Sequence, residues 1–177
     1  MKRNQHLLFY LIGIVTFLCF KFAYTAMDAG SLSFILGPTN YFVSILTDSN
    51  AIDIPNVGYY HHELNITIEK SCSGFNFLLL SFLITYYVSA SHLRDSKLKW
   101  SALPLSLLFA WMLTIFVNTS RITSSIFIGR YVAVSKPYQA LLHQAEGTFI
   151  YLFFLILSYR LINHLLKNYA VQYEKPA

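Results

Sequence analysis

Apolar runs of near-bilayer length set the strongest limit on how this chain folds. The clear runs cover residues 7–26, 74–90, 101–117 and 147–166, and weaker apolar segments cover residues 30–47 and 122–134. A helix needs about 20 mostly apolar residues to span a bilayer, where no water is present to bind free backbone groups. The sequence therefore predicts an all-α, polytopic membrane helix bundle, with residues 1–177 forming a single integral membrane domain.

The composition supports a membrane protein. Only 12% of the residues are charged and 55% are hydrophobic, whereas soluble domains carry about 25% charged residues. The net charge of +5 does not indicate nucleic acid, because the basic residues lie mostly at the ends of the apolar runs and not along one stripe. We expect membrane lipid, and no nucleic acid, among the partners.

The longest polar stretch covers residues 48–70 and predicts a small β unit. Residues 64–69 alternate strictly between apolar and polar side chains, which is the periodicity of a strand. Residues 52–54 are a plausible partner strand, with residues 55–58 turning the chain between them. We therefore expect a small extracytoplasmic β-hairpin that leads directly into Cys72.

The basic residues predict the orientation. Residues 7–26 are too long for a usual signal peptide core, so we take them as a retained span that begins inside. The rule that basic loops stay in the cytoplasm then places a set of seven residues there: Lys2, Arg3, Arg94, Lys97, Lys99, Lys167 and Lys175. This holds only if residues 30–47 do not cross completely, or if another weak segment compensates; a short span, a re-entrant piece and an interfacial helix all remain open.

Three chemically active side chains converge at one face under this topology. Cys72 begins the second span on its outer side, Arg121 ends the third, and His143 precedes the last. Ionisable residues at the membrane depth of spanning helices are often functional. We therefore predict a site at the outer surface that these three residues share.

The three residue types together support acyl transfer. A helix N-terminus favours the reactive thiolate of a cysteine, and the small neighbours Ser73 and Gly74 leave room for a peptide carbonyl at Cys72. His143 is suited to accept the thiol proton and return one to a leaving amine. Arg121 is suited to bind a developing oxyanion or to clamp the substrate backbone.

Further residues are predicted to support these three. Asn118 lies three positions before Arg121 and shares its helical face. Glu146 and Gly147 lie just after His143, and Glu146 is a candidate to orient the imidazole ring.

The motifs at these positions resemble those of the exosortase/archaeosortase family. They are Ser71-Cys72-Ser73-Gly74 at the start of a span, Asn118-Thr119-Ser120-Arg121-Ile122 at the end of one, and His143 four residues before Gly147 ahead of the last. The resemblance covers most of the chain, and the short length is closest to compact forms such as exosortase K.

The resemblance implies a cysteine protease or transpeptidase of the bacterial cytoplasmic (inner) membrane, with several spans and its active site on the extracytoplasmic side. Cys72 would be the nucleophile, His143 the acid/base and Arg121 the stabilising cation. The substrate would be an exported protein whose C-terminus carries a short motif, a transmembrane helix and a basic cluster. No cofactor and no metal are expected, and the acceptor, water or an amine, stays open.

Two other classes of function remain open from the residues alone. One is a non-enzymatic membrane scaffold or transporter subunit. The other is a metal-dependent membrane enzyme that uses His61, His62 and Glu63, together with His143. Adjacent histidines on a strand point to opposite faces, which disfavours a shared metal.

Overall fold

The computed structural model describes residues 2–93, 95–131 and 136–173, and the side chains of residues 7–93, 95–129 and 141–168. The helices are α1 (Lys2–Ala26), α2 (Ser33–Thr47), α3 (Phe75–His92), α4 (Ser96–Tyr131) and α5 (Lys136–Tyr173), and the strands are β1 (Ala51–Ile54), β2 (Gly58–His61) and β3 (Ile66–Glu69). Of the basic residues that predict the orientation, Arg94 and Lys175 lie outside the described residues, as do residues 132–134 of the last weak apolar segment.

Within the described residues, four helical segments are long and apolar enough to cross a membrane. They are Leu7–Ala26, Lys70–His92, Ser96–Gly129 and Leu141–Asn168. Together with the small antiparallel sheet, they confirm the prediction of an all-α polytopic membrane protein with a small β unit.

The chain divides into two compact units. We call the first the helical unit; it comprises Met1–Thr25, Asn76–Met112 and Phe154–Ala177. We call the second the site unit; it comprises Ala26–Phe75 and Leu113–Phe153. The boundary falls within helices α3, α4 and α5, so each of these helices contributes residues to both units.

Aromatic side chains hold the helical unit together. The ring of Tyr86 is buried and lies directly across from Gly13, where an added Cβ would come within 2.7 Å of it. Tyr10 stacks on Tyr87 with ring centroids 4.8 Å apart. Close helix contact at a glycine and aromatic packing replace the hydrophobic effect, which is weak between helices in lipid.

The sheet of the site unit has three strands and not two. β2 pairs with β1 on one side and with β3 on the other, both antiparallel. The predicted pairing of residues 52–54 with residues 64–69 was therefore wrong, because residues 58–61 lie between them. Two tight turns make this meander possible, and Asn56 and Asn65 occupy their left-handed positions at φ 63° and φ 50°, which asparagine tolerates well.

Helix α2 packs on this sheet and does not have the length of a span. Its 15 residues extend about 22 Å, whereas the hydrocarbon core measures about 30 Å. Pro38 lies inside the helix and does not break it. His61 joins the two elements, because its Nδ1 lies 2.8 Å from Ser49 Oγ and its Nε2 lies 2.8 Å from Asn40 Oδ1. Burial lowers the pKa of His61, against the opposing charge of Glu63.

Helix α4 continues without interruption through the polar residues 118–121, which were expected to end the third span. It contains 36 residues, about 54 Å at the usual rise per residue. Arg121 therefore lies inside a helix and not at its end. The polar residues do not stop the helix. The hydroxyl of Ser120, for example, donates a hydrogen bond to the Phe116 carbonyl of the same helix at 2.9 Å and needs no partner outside it.

Candidate functional site

Cys72 lies in the site unit, in a short 3-10 turn (Lys70–Cys72) between β3 and α3. Gly74 follows with φ +68°, a left-handed conformation, and an added Cβ there would lie 3.2 Å from Asn118 Cγ. The buried Ser73 hydroxyl accepts a hydrogen bond from the Phe75 amide at 3.3 Å at the start of α3. Both residues after the cysteine are thus required by the way the chain enters the helix.

The thiol of Cys72 has one described polar neighbour in its own turn. Ser71 Oγ lies 3.7 Å from Cys72 Sγ and donates a hydrogen bond to Glu69 Oε1 at 2.7 Å. Cys72 itself is partly exposed, whereas Ser73 is buried. The sulfur is therefore accessible to a reactant while the backbone that follows it is held in place.

A hydrogen-bonded chain connects the backbone of Cys72 with Arg121. The fully buried Asn118 donates from Nδ2 to the Cys72 carbonyl at 2.5 Å. Tyr151 donates from its hydroxyl to Asn118 Oδ1 at 2.8 Å, and Arg121 Nη1 donates to the Tyr151 hydroxyl at 2.9 Å. The guanidinium is thereby held at a fixed position relative to the turn that carries the thiol.

The imidazole of His143 is held at both nitrogens. Its Nε2 lies 3.4 Å from Arg121 Nη2, and its Nδ1 lies 2.6 Å from Ser125 Oγ. A guanidinium only donates hydrogen bonds, so Nε2 is the acceptor. The proton of the neutral ring is therefore on Nδ1, which donates to Ser125. This tautomer leaves Nε2 with the lone pair that a general base requires.

Gly147 gives space to Arg121. An added Cβ at this position would lie 2.9 Å from Arg121 Nε, well inside van der Waals contact. The side chain of Glu146 does not hold the imidazole as expected, because Ser125 and Arg121 occupy both ring nitrogens. The Oε1 atom of Glu146 is instead buried without a hydrogen-bond partner.

The three residues predicted to form the site line one pocket of about 360 Å³. Cys72, Arg121 and His143 share this pocket with residues of β3 and α4. The full lining is Ile66, Thr67, Ile68, Cys72, Arg121, Ile122, Ser125, Ile126 and His143. A thiol, a cation and an imidazole thus meet in a cleft that is otherwise mostly aliphatic, and their roles in it stay a prediction.

Comparison with known families gives a match over nearly the whole chain. The family model described as transmembrane exosortase matches residues 6–160. The chain belongs to the transmembrane exosortase family. Searches of curated proteins and of solved structures gave no match. The resemblance to the compact exosortase K form stays a prediction.

Family membership establishes the general class of this exosortase. It implies a multi-pass membrane cysteine peptidase or transpeptidase that acts on sorting signals. The family match covers the motifs around Cys72, Arg121 and His143, all of which fall between residues 6 and 160.

Two residues of this exosortase site were missed by the sequence analysis. Tyr151 lies four positions after Gly147 and eight after His143, and Ser125 lies four positions after Arg121. Residues with such spacing share one helical face. That periodicity was the available signal, but a tyrosine and a serine in a membrane helix are common enough that spacing alone does not single them out.

The metal-binding alternative has little support from the described histidines. Among the residues that the structure describes, no group of three His, Cys, Asp or Glu side chains is placed to hold a metal ion. The ring of His61 faces Asn40 and Ser49 on its two nitrogens, and His62 lies outside strand β2 in the following turn. The two neighbouring histidines therefore do not form a common ligand set.

Proposed function

We propose that this exosortase cleaves C-terminal sorting signals of exported proteins through a thioester on Cys72. The observation that carries the proposal is the pocket shared by the Cys72 thiol, the Arg121 guanidinium and the His143 imidazole. A nucleophile, an electrophilic stabiliser and a base within one cleft are the parts that acyl transfer requires. The family match over residues 6–160 supports the same class of reaction.

In the first step the thiolate of Cys72 attacks the carbonyl carbon of the scissile peptide bond. A carbon–sulfur bond forms, and the tetrahedral intermediate carries its negative charge on the former carbonyl oxygen. Arg121 donates hydrogen bonds to that oxygen, and such donors typically contribute about 10²- to 10³-fold in rate. The carbon–nitrogen bond then breaks, and the tail leaves as an amine.

His143 moves the protons in this scheme. Its Nε2 takes the proton of the thiol and later delivers it to the leaving amine, while Nδ1 stays hydrogen-bonded to Ser125. The contact of Nε2 with Arg121 is long, at 3.4 Å, so it is readily exchanged. A substrate carbonyl that binds the guanidinium frees Nε2 for the thiol proton.

The second step removes the acyl group from Cys72. Water attack gives a free carboxylate, and attack by an amine gives a new amide bond. The substrate is an exported protein with a short motif, a transmembrane helix and a basic cluster at its C-terminus. The helix lies in membrane lipid beside the enzyme, and the motif reaches the site at the extracytoplasmic face of the bacterial inner membrane.

The test follows the tailed exported proteins of the host cell by intact mass spectrometry. With the wild-type enzyme we expect loss of the tail and an acyl adduct on Cys72. Cys72→Ser should leave the tail uncleaved while the enzyme accumulates normally in the membrane. The mass of the product distinguishes a carboxylate from an amide and so identifies the acceptor.

Cys19→Ser is the matched control, because Cys19 is the second free cysteine and is exposed on α1. It should process substrates at the wild-type rate. Tail removal that persists in Cys72→Ser, with the variant present at normal levels, would overturn the proposal.

A further inference from the structure

Strand β3 has an open edge. The strand order is β1-β2-β3, so within the described part of the chain β3 pairs on one side only. In an antiparallel strand, every second residue directs its amide and carbonyl away from its partner. On the free edge of β3 (Ile66–Glu69), two of its four residues therefore direct their backbone amide and carbonyl groups away from β2.

The pocket around Cys72 runs along this edge. Three consecutive residues of β3, Ile66, Thr67 and Ile68, line it. Neighbouring side chains of a strand point to opposite faces, so a pocket against one face would be lined by alternate residues. Contact with three in a row indicates that the cleft follows the strand edge, with Ile122 and Ile126 of α4 among the other residues that line it.

The edge is left without the usual protection. Exposed edge strands normally carry a charge, a proline or a bulge that prevents pairing with another chain. Residues 66–68 carry none of these, and the first charged residue is Glu69. An unprotected edge that leads within three residues to the candidate nucleophile is suited to guide a peptide to it.

We propose that the sorting motif binds as an added β-strand on the free edge of β3. This inference rests on the proposed function. The peptide forms main-chain hydrogen bonds with β3, as in other cases of strand addition, and its scissile carbonyl comes to lie at Cys72. Four residues of β3 span about 14 Å, which matches three to four residues of substrate.

The arrangement also sets the specificity. Alternate substrate side chains face the aliphatic wall formed by Ile122 and Ile126, so aliphatic residues are preferred there. Proline is accepted only where the substrate amide points away from β3, because it has no N–H to donate. The enzyme therefore selects the side chains at every second position of the motif.

The test uses a probe that reports main-chain pairing. Acetyl-Val-Val-Val chloromethyl ketone alkylates a thiolate with loss of chloride, and intact mass spectrometry of the detergent-solubilised enzyme gives the rate at Cys72. Three variants of the probe carry an N-methyl group on one amide nitrogen each. We expect alternation: methylation of the amides that pair with β3 slows alkylation about tenfold or more, and methylation of the intervening amide has little effect.

Chloroacetone is the matched control, because it carries the same reactive group without a peptide. If chloroacetone alkylates Cys72 and N-methylation has no effect, or an equal effect at all positions, strand addition is overturned and the proposed function stands. If neither reagent modifies Cys72 in the folded enzyme, the reactive thiol is lost and the proposed function fails with it.

Discussion

At the scale of single residues, Arg121 connects the turn that carries Cys72 with the imidazole of His143. One nitrogen of its guanidinium donates to Tyr151 and another lies next to His143. Tyr151 in turn donates to Asn118, which holds the carbonyl of Cys72. A motif in which asparagine precedes arginine by three positions therefore has a physical reason: the first residue holds the turn that carries the thiol, and the second lines the pocket beside His143.

Removal of the Tyr151 hydroxyl should weaken catalysis without unfolding the protein. In Tyr151→Phe the ring stays, but Arg121 and Asn118 each lose a hydrogen-bond partner. Hydrogen bonds to charged groups contribute about 1.5–3 kcal/mol, so we expect tail removal to slow by about ten- to a hundredfold. The measurement is the processing rate in cells at equal enzyme abundance.

Tyr159→Phe is the control for this change, since Tyr159 lies two turns further along α5 and belongs to the helical unit. It should leave the rate unchanged. Equal rates for Tyr151→Phe and wild-type would show that the tyrosine does not position the arginine.

Gly147→Ala should separate activity from stability. The added methyl group would lie 2.9 Å from Arg121 Nε, so the guanidinium must leave its place between Tyr151 and His143. Alanine is also favoured over glycine inside a helix by about 1 kcal/mol, so thermal stability should not fall in proportion to activity. We expect a strong loss of tail removal with a nearly wild-type unfolding temperature.

The matched variant is Gly129→Ala in α4, where an added Cβ would meet nothing within 4 Å. It should keep both activity and stability. Wild-type processing by Gly147→Ala would contradict the steric argument.

The sequence was sufficient to predict that Cys72, Arg121 and His143 lie close together, because each is a reactive side chain at a polar break in an apolar run, and the three line one pocket. It was not sufficient for Ser125 or for the partner of the imidazole. Glu146 was the candidate by proximity along the chain, but the ring turns toward α4 and meets Ser125. Which side chain a ring nitrogen meets depends on how two helices pack, and one sequence does not reveal that rotation.

At the scale of elements, the β unit shows how local patterns mislead. The alternation of residues 64–69 predicted a strand correctly, but Asn65 takes a left-handed conformation and the strand begins at Ile66. The strand β2 was missed because Tyr59, Tyr60 and His61 show no clean alternation of apolar and polar residues. In the structure, the residues of β2 are buried or half-buried against α2 and the two neighbouring strands. The order of apolar and polar residues within four positions does not reveal such contacts.

The junction between α2 and the sheet should weaken in acid. Burial lowers the pKa of His61 in the folded protein, so in the range just below the ordinary histidine pKa of about 6.5 the unfolded chain binds a proton that the folded chain does not. The stability contributed by the neutral ring is therefore fully present above that pKa and falls as the pH decreases through it. Thermal unfolding of the solubilised enzyme from about pH 7.5 to about pH 5.5 measures this slope.

His61→Gln should flatten the slope even if it lowers stability at neutral pH. His62→Gln is the control, because His62 is the exposed neighbour in the following turn, and it should keep the wild-type slope. An unchanged slope in His61→Gln would show that another group is responsible for the acid sensitivity.

For the whole molecule, the number of spans decides where the site lies. The four candidate spans place both ends of the chain on one side, provided that α2 does not cross. The 15 residues of α2 satisfy that condition by length. The start of α3, the second half of α4 and the first turns of α5 then fall on the same face, which agrees with Cys72, Arg121 and His143 lining one pocket.

The distribution of charge selects which face is outside. The first turn of α4 is basic, with Lys97 and Lys99, while the sheet and its turns carry Asp53, Glu63 and Glu69. Basic loops are retained in the cytoplasm. We therefore expect the sheet and the site on the extracytoplasmic side, and the α3–α4 connection inside.

Cysteine labelling in intact cells tests this orientation directly. In a background of Cys19→Ser and Cys72→Ser, the variant Val57→Cys places a thiol in the exposed β1–β2 turn, and Ser96→Cys places one at the exposed start of α4. A maleimide that does not cross membranes should label Val57→Cys in intact cells and Ser96→Cys only after the membrane is permeabilised. The reverse pattern would put the thiol, the guanidinium and the imidazole in the cytoplasm, where an exported substrate never meets them, and the proposed function would fail at the level of topology even with the site geometry intact.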